Sequence, residues 1–213
     1  NLGLKILYEV LNRQEHIAAE RVYAPWLDME QEMRTRKIPL FSLETFREVN
    51  TFDFLGFSLQ YEMLNSNMLN MLDLAGIPIW SAERSLEDPF VLGGGPCVYN
   101  TEPISDFVDL FIIGEAEEVI VELAEVYIAW KKEGRPEGRK GFLLRAAALE
   151  GIYVPSFYAP RYDEEGHFAG IETTESAARP VVYKRVVKDL DAAGFTEKPV
   201  VPPAKYQPYP RKH

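Results

Sequence analysis

The stretch VLGGGP at residues 91–96, followed by IIGEAEE at 112–118, decides how this chain reads. Each is an apolar run that breaks at glycine and leads toward a helix. Together they read as consecutive strand ends of a parallel α/β sheet, with glycine-rich loops at its carboxyl edge. Ligands of such sheets sit at that edge, in the crevice where the connections diverge. Gly93, Gly94 and Gly95 are therefore candidate binding positions. Glycine has no Cβ to hold a ligand off the backbone, and successive N–H groups there can cradle an anion or an amide-rich edge. A tight turn without any ligand accounts for a glycine triplet equally well.

The flanking sequence supports an alternating α/β pattern. Leu4, Leu7, Val10 and Leu11 recur at helical spacing, so residues 2–13 read as an amphipathic helix. This helix opens almost at residue 1, and the strand that should precede it is expected upstream of Asn1. Residues 22–23 read as the end of a short strand, and Pro25 suits the first turn of a helix running to about residue 37. FDFLGFS at 52–58 is a buried strand. Leu64, Met68, Met71, Leu72 and Ala75 stripe the next helix, which Gly76 stops. Residues 77–80, 89–92 and 108–113 read as further strands, and a long helix is expected from 115 to about 133.

Alternating strands and helices over residues 1–133 predict an α/β domain with a doubly wound parallel sheet. The polar run GRPEGRKG at 134–141 is the expected boundary. Residues 134–213 then read as a short helix, a β-hairpin over 154–173 and a strand at 181–187. A Pro-rich connector follows from Pro199.

Composition narrows the function. Hydrophobic residues make up 46% of the 213, enough to build a core. The formal net charge of -10 argues against a nucleic-acid partner, which calls for a basic footprint. No run approaches the roughly 18–20 apolar residues of a membrane span. Cys97 is the only cysteine, which fits a reducing, cytoplasmic compartment and excludes an iron–sulfur cluster held by this chain alone. His16, His167 and His213 read as surface residues, and no zinc spacing, Walker loop or hydrolase elbow occurs.

Three further candidates lie at strand or helix ends. Ser58 closes the central strand and can donate to a ligand; the plainer reading is a cap. Asn1 and Gly3 open the first helix, whose N-terminus points into the same crevice. Glu115 follows the last strand and can accept hydrogen bonds from a ligand or a partner domain. Glu117 and Glu118 suit the first turn of a helix electrostatically.

GGGPCVYNTEPI at 93–104 and DLFIIGEAEEVI at 109–120 resemble the cobalamin-binding-type N-terminal domain of radical S-adenosylmethionine (SAM) proteins. NLGLKILYEVLN at 1–12, AERVYAPWLDME at 19–30 and IPLFSLET at 38–45 are similar to a bacterial branch of that superfamily. The resemblance implies a flavodoxin-like domain stacked on a downstream radical barrel of the same polypeptide. There a Cys-x3-Cys-x2-Cys motif holds the four-iron cluster that cleaves S-adenosylmethionine. It also implies cobalamin as a possible ligand of Asn1, Gly3, Ser58, Gly93 to Gly95 and Glu115. Ser58-Leu59-Gln60 keeps the serine of the family's S-x-L but not its leucine. With Gly3 as the last glycine of the family's D-x-H-x-x-G, the position of the cobalt-ligating histidine falls one residue before Asn1, where this branch is expected to carry a small polar residue instead. Two rivals stay open: a degenerate docking domain without a cofactor, and a free-standing flavin- or nucleotide-binding module.

Overall fold

The computed structural model describes residues 2–188. In chain order these form α1 (Leu2–Asn12), α2 (Leu27–Arg36), β1 (Phe54–Ser58), α3 (Leu64–Leu74), β2 (Phe90–Gly94) and β3 (Leu110–Ile112). Then follow α4 (Val119–Lys132), α5 (Gly138–Ala146), β4 (Ile152–Tyr153), β5 (Tyr158–Tyr162) and β6 (Phe168–Thr173). A four-stranded sheet has the order β1-β2-β3-β4, and β5 and β6 form a separate two-stranded sheet. β1, β2 and β3 run parallel, whereas β4 is antiparallel to β3.

Both faces of the main sheet are covered, because alternate side chains of a strand point to opposite sides. Leu55, Val91 and Phe111 pack with Met68, Met71 and Leu72 of α3. Phe90, Leu92, Leu110 and Ile112 pack on the other side with α4 and α5 through Leu123, Trp130 and Phe142. Burial on both sides explains why these strands read as continuous apolar runs. An aromatic group knits the second layer: Phe90 and Phe142 have ring centroids 4.5 Å apart, and Phe54 and Tyr127 4.7 Å.

The amino edge of the sheet is held by buried charge. The Asp109 side chain is 3% exposed and lies between Arg84, 0% exposed, and Arg139, 11% exposed. Arg84 Nη1 donates to Asp109 Oδ2 at 2.8 Å, and the same oxygen accepts the Val91 N–H at 2.7 Å. Arg139 Nη2 meets Asp109 Oδ1 at 2.9 Å. Arg84 also donates to the carbonyls of Pro78, Ile79 and Phe107, and Arg139 to those of Ser85, Asp88 and Pro89. Burial pulls the Arg84 pKa down and the Asp109 carboxylate opposes that pull. A charge this deep is tolerated only when paired and hydrogen-bonded. Nearby, burial pushes the Asp53 carboxyl up, but the Lys131 ammonium and the Tyr127 hydroxyl outweigh it and hold its pKa below the ordinary range.

Several elements depart from the sequence expectation. Among the described residues the strands run in the order β1 to β4, and β4 is antiparallel where a parallel sheet is expected. Residues 22–23 form no strand. Residues 77–80 form none either: Pro78 lacks an N–H, and Arg84 takes the carbonyls of Pro78 and Ile79. β2 continues through Gly93 and Gly94, which pair with Phe57 and Ser58. α4 starts at Val119 rather than 115, because the Gly114–Glu115 backbone pairs elsewhere. α5 begins inside the polar run at Gly138. Residues 181–187 make one bridge, Gly114 to Arg185, instead of a strand. The expected hairpin is present as β5 and β6, while Asn1, His213 and the Pro-rich tail lie outside the described residues.

Candidate functional site

The carboxyl ends of β1, β2 and β3 meet where the sequence places the site. Ser58 is the register partner of Gly94, and Gly94 is the partner of Ile112. The loops after β1 and β2 are stitched together. Leu59 N–H donates to the Gly94 carbonyl at 2.7 Å, and the Leu59 carbonyl accepts the Cys97 N–H at 3.1 Å.

The three glycines have different jobs. At Gly93 a Cβ would stand 2.5 Å from Phe111 Cδ1, so this glycine makes room for a core ring. Gly95 has φ 105°, and a Cβ there would lie 2.7 Å from the Leu59 carbonyl oxygen. Its role is the turn and the close approach of the neighbouring loop. At Gly94 a Cβ would meet nothing within 4 Å. Gly94 is thus the member of the triplet that leaves open space at the mouth. Beside it, Ser58 Oγ accepts from Gln60 Nε2 at 2.9 Å. The same two loops carry the exposed side chains of Tyr61, Met63 and Tyr99.

At β3 the crevice is occupied by the chain itself. Arg185 N–H donates to the Ile113 carbonyl at 2.8 Å, and the Arg185 carbonyl accepts the Glu115 N–H at 3.0 Å. Glu115 Oε2 accepts the Val187 N–H. Arg185 Nη2 reaches Glu118 at 3.0 Å and Glu122 at 2.5 Å. Glu118, ahead of Glu122, raises the Arg185 pKa against the cost of its burial. Gly114, φ 101°, and Gly151, φ 85°, lie against Arg185, where side chains would collide with it. Residues 185–187 therefore form a strap along the end of β3.

The sequence candidates divide accordingly. Ser58 and Gly94 stand together at the mouth. Gly93 and Gly95 serve the fold, and Glu115 accepts a hydrogen bond from the chain's own backbone rather than facing open solvent alone. Gly3 lies on α1 and takes part in interactions of its own. Sequence reasoning misses Arg185, because its proximity to Glu118 and Glu122 is invisible in one dimension. Cys97 has its thiol pKa pushed up by burial and by Glu62, which suits an inert thiol. His16 and His167 are exposed, bonded to Glu125 and beside Asp163 respectively. Among the described residues, no group of three His, Cys, Asp or Glu is placed to hold a metal. An open depression of about 400 Å³ beside α2, lined by Met29, Glu32, Met33, Arg36, Ile38 and Phe41, includes none of the strand-end residues.

The family model for radical SAM proteins, N-terminal, matches residues 3–155. The chain belongs to this family. Its N-terminal domain is an accessory domain of radical SAM proteins, and the match takes in the whole four-stranded sheet. A curated relative, the uncharacterized protein MJ0966 of Methanocaldococcus jannaschii, is 28% identical over 102 residues, which is 47% of this chain. That stretch is 21% of the relative, so the chain aligns with about a fifth of it. No solved structure matches. Among the described residues, no helix of this family member is long and apolar enough to cross a membrane.

Proposed function

We propose that this accessory domain is of the cobalamin-binding, flavodoxin-like type and caps a downstream radical SAM domain. It offers the Ser58–Gly94 mouth to cobalamin or to that domain's substrate. The observation that carries the reading is the strap. It pins residues 185–187 to the end of β3, at the same carboxyl edge of the sheet where Gly94 is open. A three-strand parallel sheet covered on both faces supports the architecture.

Cobalamin fits the mouth through a limited set of groups. No atom lies within 4 Å of where a Gly94 Cβ would stand, so a ligand can approach the backbone there, and Ser58 and Gln60 supply hydrogen-bonding side chains beside it. When bound, cobalamin supplies radical or group-transfer chemistry. This chain's share is to seat the ligand and keep water from one side of it. The four-iron cluster does not fit these residues, since it takes three or four thiolates and only Cys97 is present. It belongs with S-adenosylmethionine in the downstream domain.

Absorbance titration of the full-length protein with hydroxocobalamin tests the ligand. A saturable spectral shift, weakened about tenfold or more by Gly94→Gln, is the expected result. No shift at saturating cobalamin removes the ligand. A Gly94→Gln enzyme with unchanged activity and affinity removes the mouth.

A second reading has its own observation. Gly93, Gly95 and Glu115, three of the positions that would hold a ligand, are spent on Phe111, Leu59 and Val187. That pattern favours a domain that only docks. Cobalamin absence together with an active Gly94→Gln protein would establish it.

A further inference from the structure

The β5–β6 hairpin leaves the body of the domain with an apolar face exposed. Pro160 is paired with Ile171 and Tyr162 with Phe168, so these four side chains share a face. The Tyr162 and Phe168 rings have centroids 6.3 Å apart. Tyr162 is 59% exposed, Phe168 63% and Ile171 48%. The opposite face carries Ala159, Arg161 and Glu172. The register shifts by one residue between Arg161 and Tyr162, and this bulge brings Phe168 to the face of Ile171 although the two are three residues apart.

The base of the hairpin is fixed rather than loose. Tyr158 lies on the same face as Tyr162, and its ring sits 4.7 Å from that of Tyr153 on the main sheet. Tyr158 OH donates to the Arg179 carbonyl at 2.8 Å, and Thr174 N–H donates to the Phe157 carbonyl at 2.8 Å. Phe157 and Ala178, on either side of the hairpin, are buried in the core with α4 and α5. Past it, Arg185 and Val187 are anchored again by the strap. The dry face thus begins as part of the domain core and runs outward until nothing covers it. An isolated two-stranded hairpin is at best marginal in water.

We propose that this face, with Pro160, Tyr162, Phe168 and Ile171, is the seat of an apolar patch on the downstream domain of the same polypeptide. The proposal rests on the accessory-domain reading above and gives it a contact surface. Two observations select this occupant. The family match, to the N-terminal part of radical SAM proteins, ends at residue 155, immediately before β5, and the aligned stretch is only 21% of the curated relative, so such proteins carry much chain besides this domain. The face is also small. Aromatic side chains bury roughly 150–250 Å² each, so four residues offer on the order of 500 Å², short of the ~800 Å² per partner of a stable free complex. A covalently linked partner needs less, because its effective concentration is high.

Cysteine labelling in the full-length protein tests this. Ile171→Cys and Glu172→Cys are neighbours on β6 with opposite faces, and both positions are exposed in the domain described here. N-ethylmaleimide reaction is followed for each by peptide mass spectrometry, which reads Cys97 separately. Ile171→Cys should react about tenfold more slowly than Glu172→Cys, independent of protein concentration. Rates within about twofold of each other overturn the proposal. So does protection of Ile171→Cys that disappears on dilution, which would assign the face to a second copy. The accessory-domain reading is scored separately, by the iron–sulfur absorption of the same protein. Cluster absorption with an unprotected Ile171→Cys defeats the hairpin contact alone.

Discussion

Glu115 accepts the main-chain N–H of Val187, a residue 72 positions further along the chain. With the Arg185 contacts to Glu118 and Glu122, this bond turns the end of β3 into an anchor for the chain that leaves the domain.

Arg185→Ala should loosen that anchor without unfolding the sheet. Arg185 is largely covered, but both glutamates remain partly exposed, so the expected loss is about 1 kcal/mol. Hydrogen exchange at the Glu115 and Arg185 amides should accelerate well beyond that at Val91 or Leu92. Unchanged protection at Glu115 would show that the backbone bridge holds the strap by itself.

Replacing Asp109 strikes the buried network at the opposite edge. Asp109→Ala leaves Arg84 and Arg139 without their carboxylate and the Val91 N–H without its acceptor. A loss of about 3–5 kcal/mol is expected in urea unfolding. A loss below about 1 kcal/mol would mean that the carbonyl acceptors alone satisfy both guanidinium groups.

The glycine triplet separates fold from site. Gly95→Ala forces a side chain onto the Leu59 carbonyl at φ 105° and should cost about 1–3 kcal/mol. Gly94→Ala enters open space and should stay within about 0.5 kcal/mol of the parent. Urea midpoints compare the two. Equal losses would contradict the division of roles between these neighbours.

Acid should weaken the amino edge through Asp53. Its pKa is held below the ordinary range in the folded state, so its contribution is complete above the unfolded value and is lost as pH falls through the lowered one. Urea midpoints measured from about pH 6 to about pH 2 should decline more steeply for the parent than for Asp53→Asn. Identical profiles would show that Lys131 and Tyr127 do not favour the ionised carboxylate.

Much of the scaffold was legible in one dimension. The stripe of Met68, Met71 and Leu72 follows helical periodicity, and the runs at 52–58 and 89–92 are apolar because both faces of their strands are buried. Residues 77–80 misled for the same reason: Ile77 is buried and apolar, but Pro78 and the demands of Arg84 keep it out of the sheet. A helix start at 115 suits acidic residues after a strand, whereas in the fold Glu115 accepts the Val187 N–H and Glu118 pairs with a distant arginine, Arg185.

By itself the sequence determined the alternation of strand and helix, the segments that turn at glycine, and the edge of the sheet where Ser58 and Gly94 meet. Those properties depend on local periodicity and on the absence of a Cβ. Only the tertiary structure decided which glycine stays open, that Glu115 binds the returning chain, and that Arg84, Asp109 and Arg139 share one buried site. Each of these depends on contacts between residues far apart in sequence, and spacing along a chain carries no record of which distant group will satisfy a buried charge or fill the space beside a glycine.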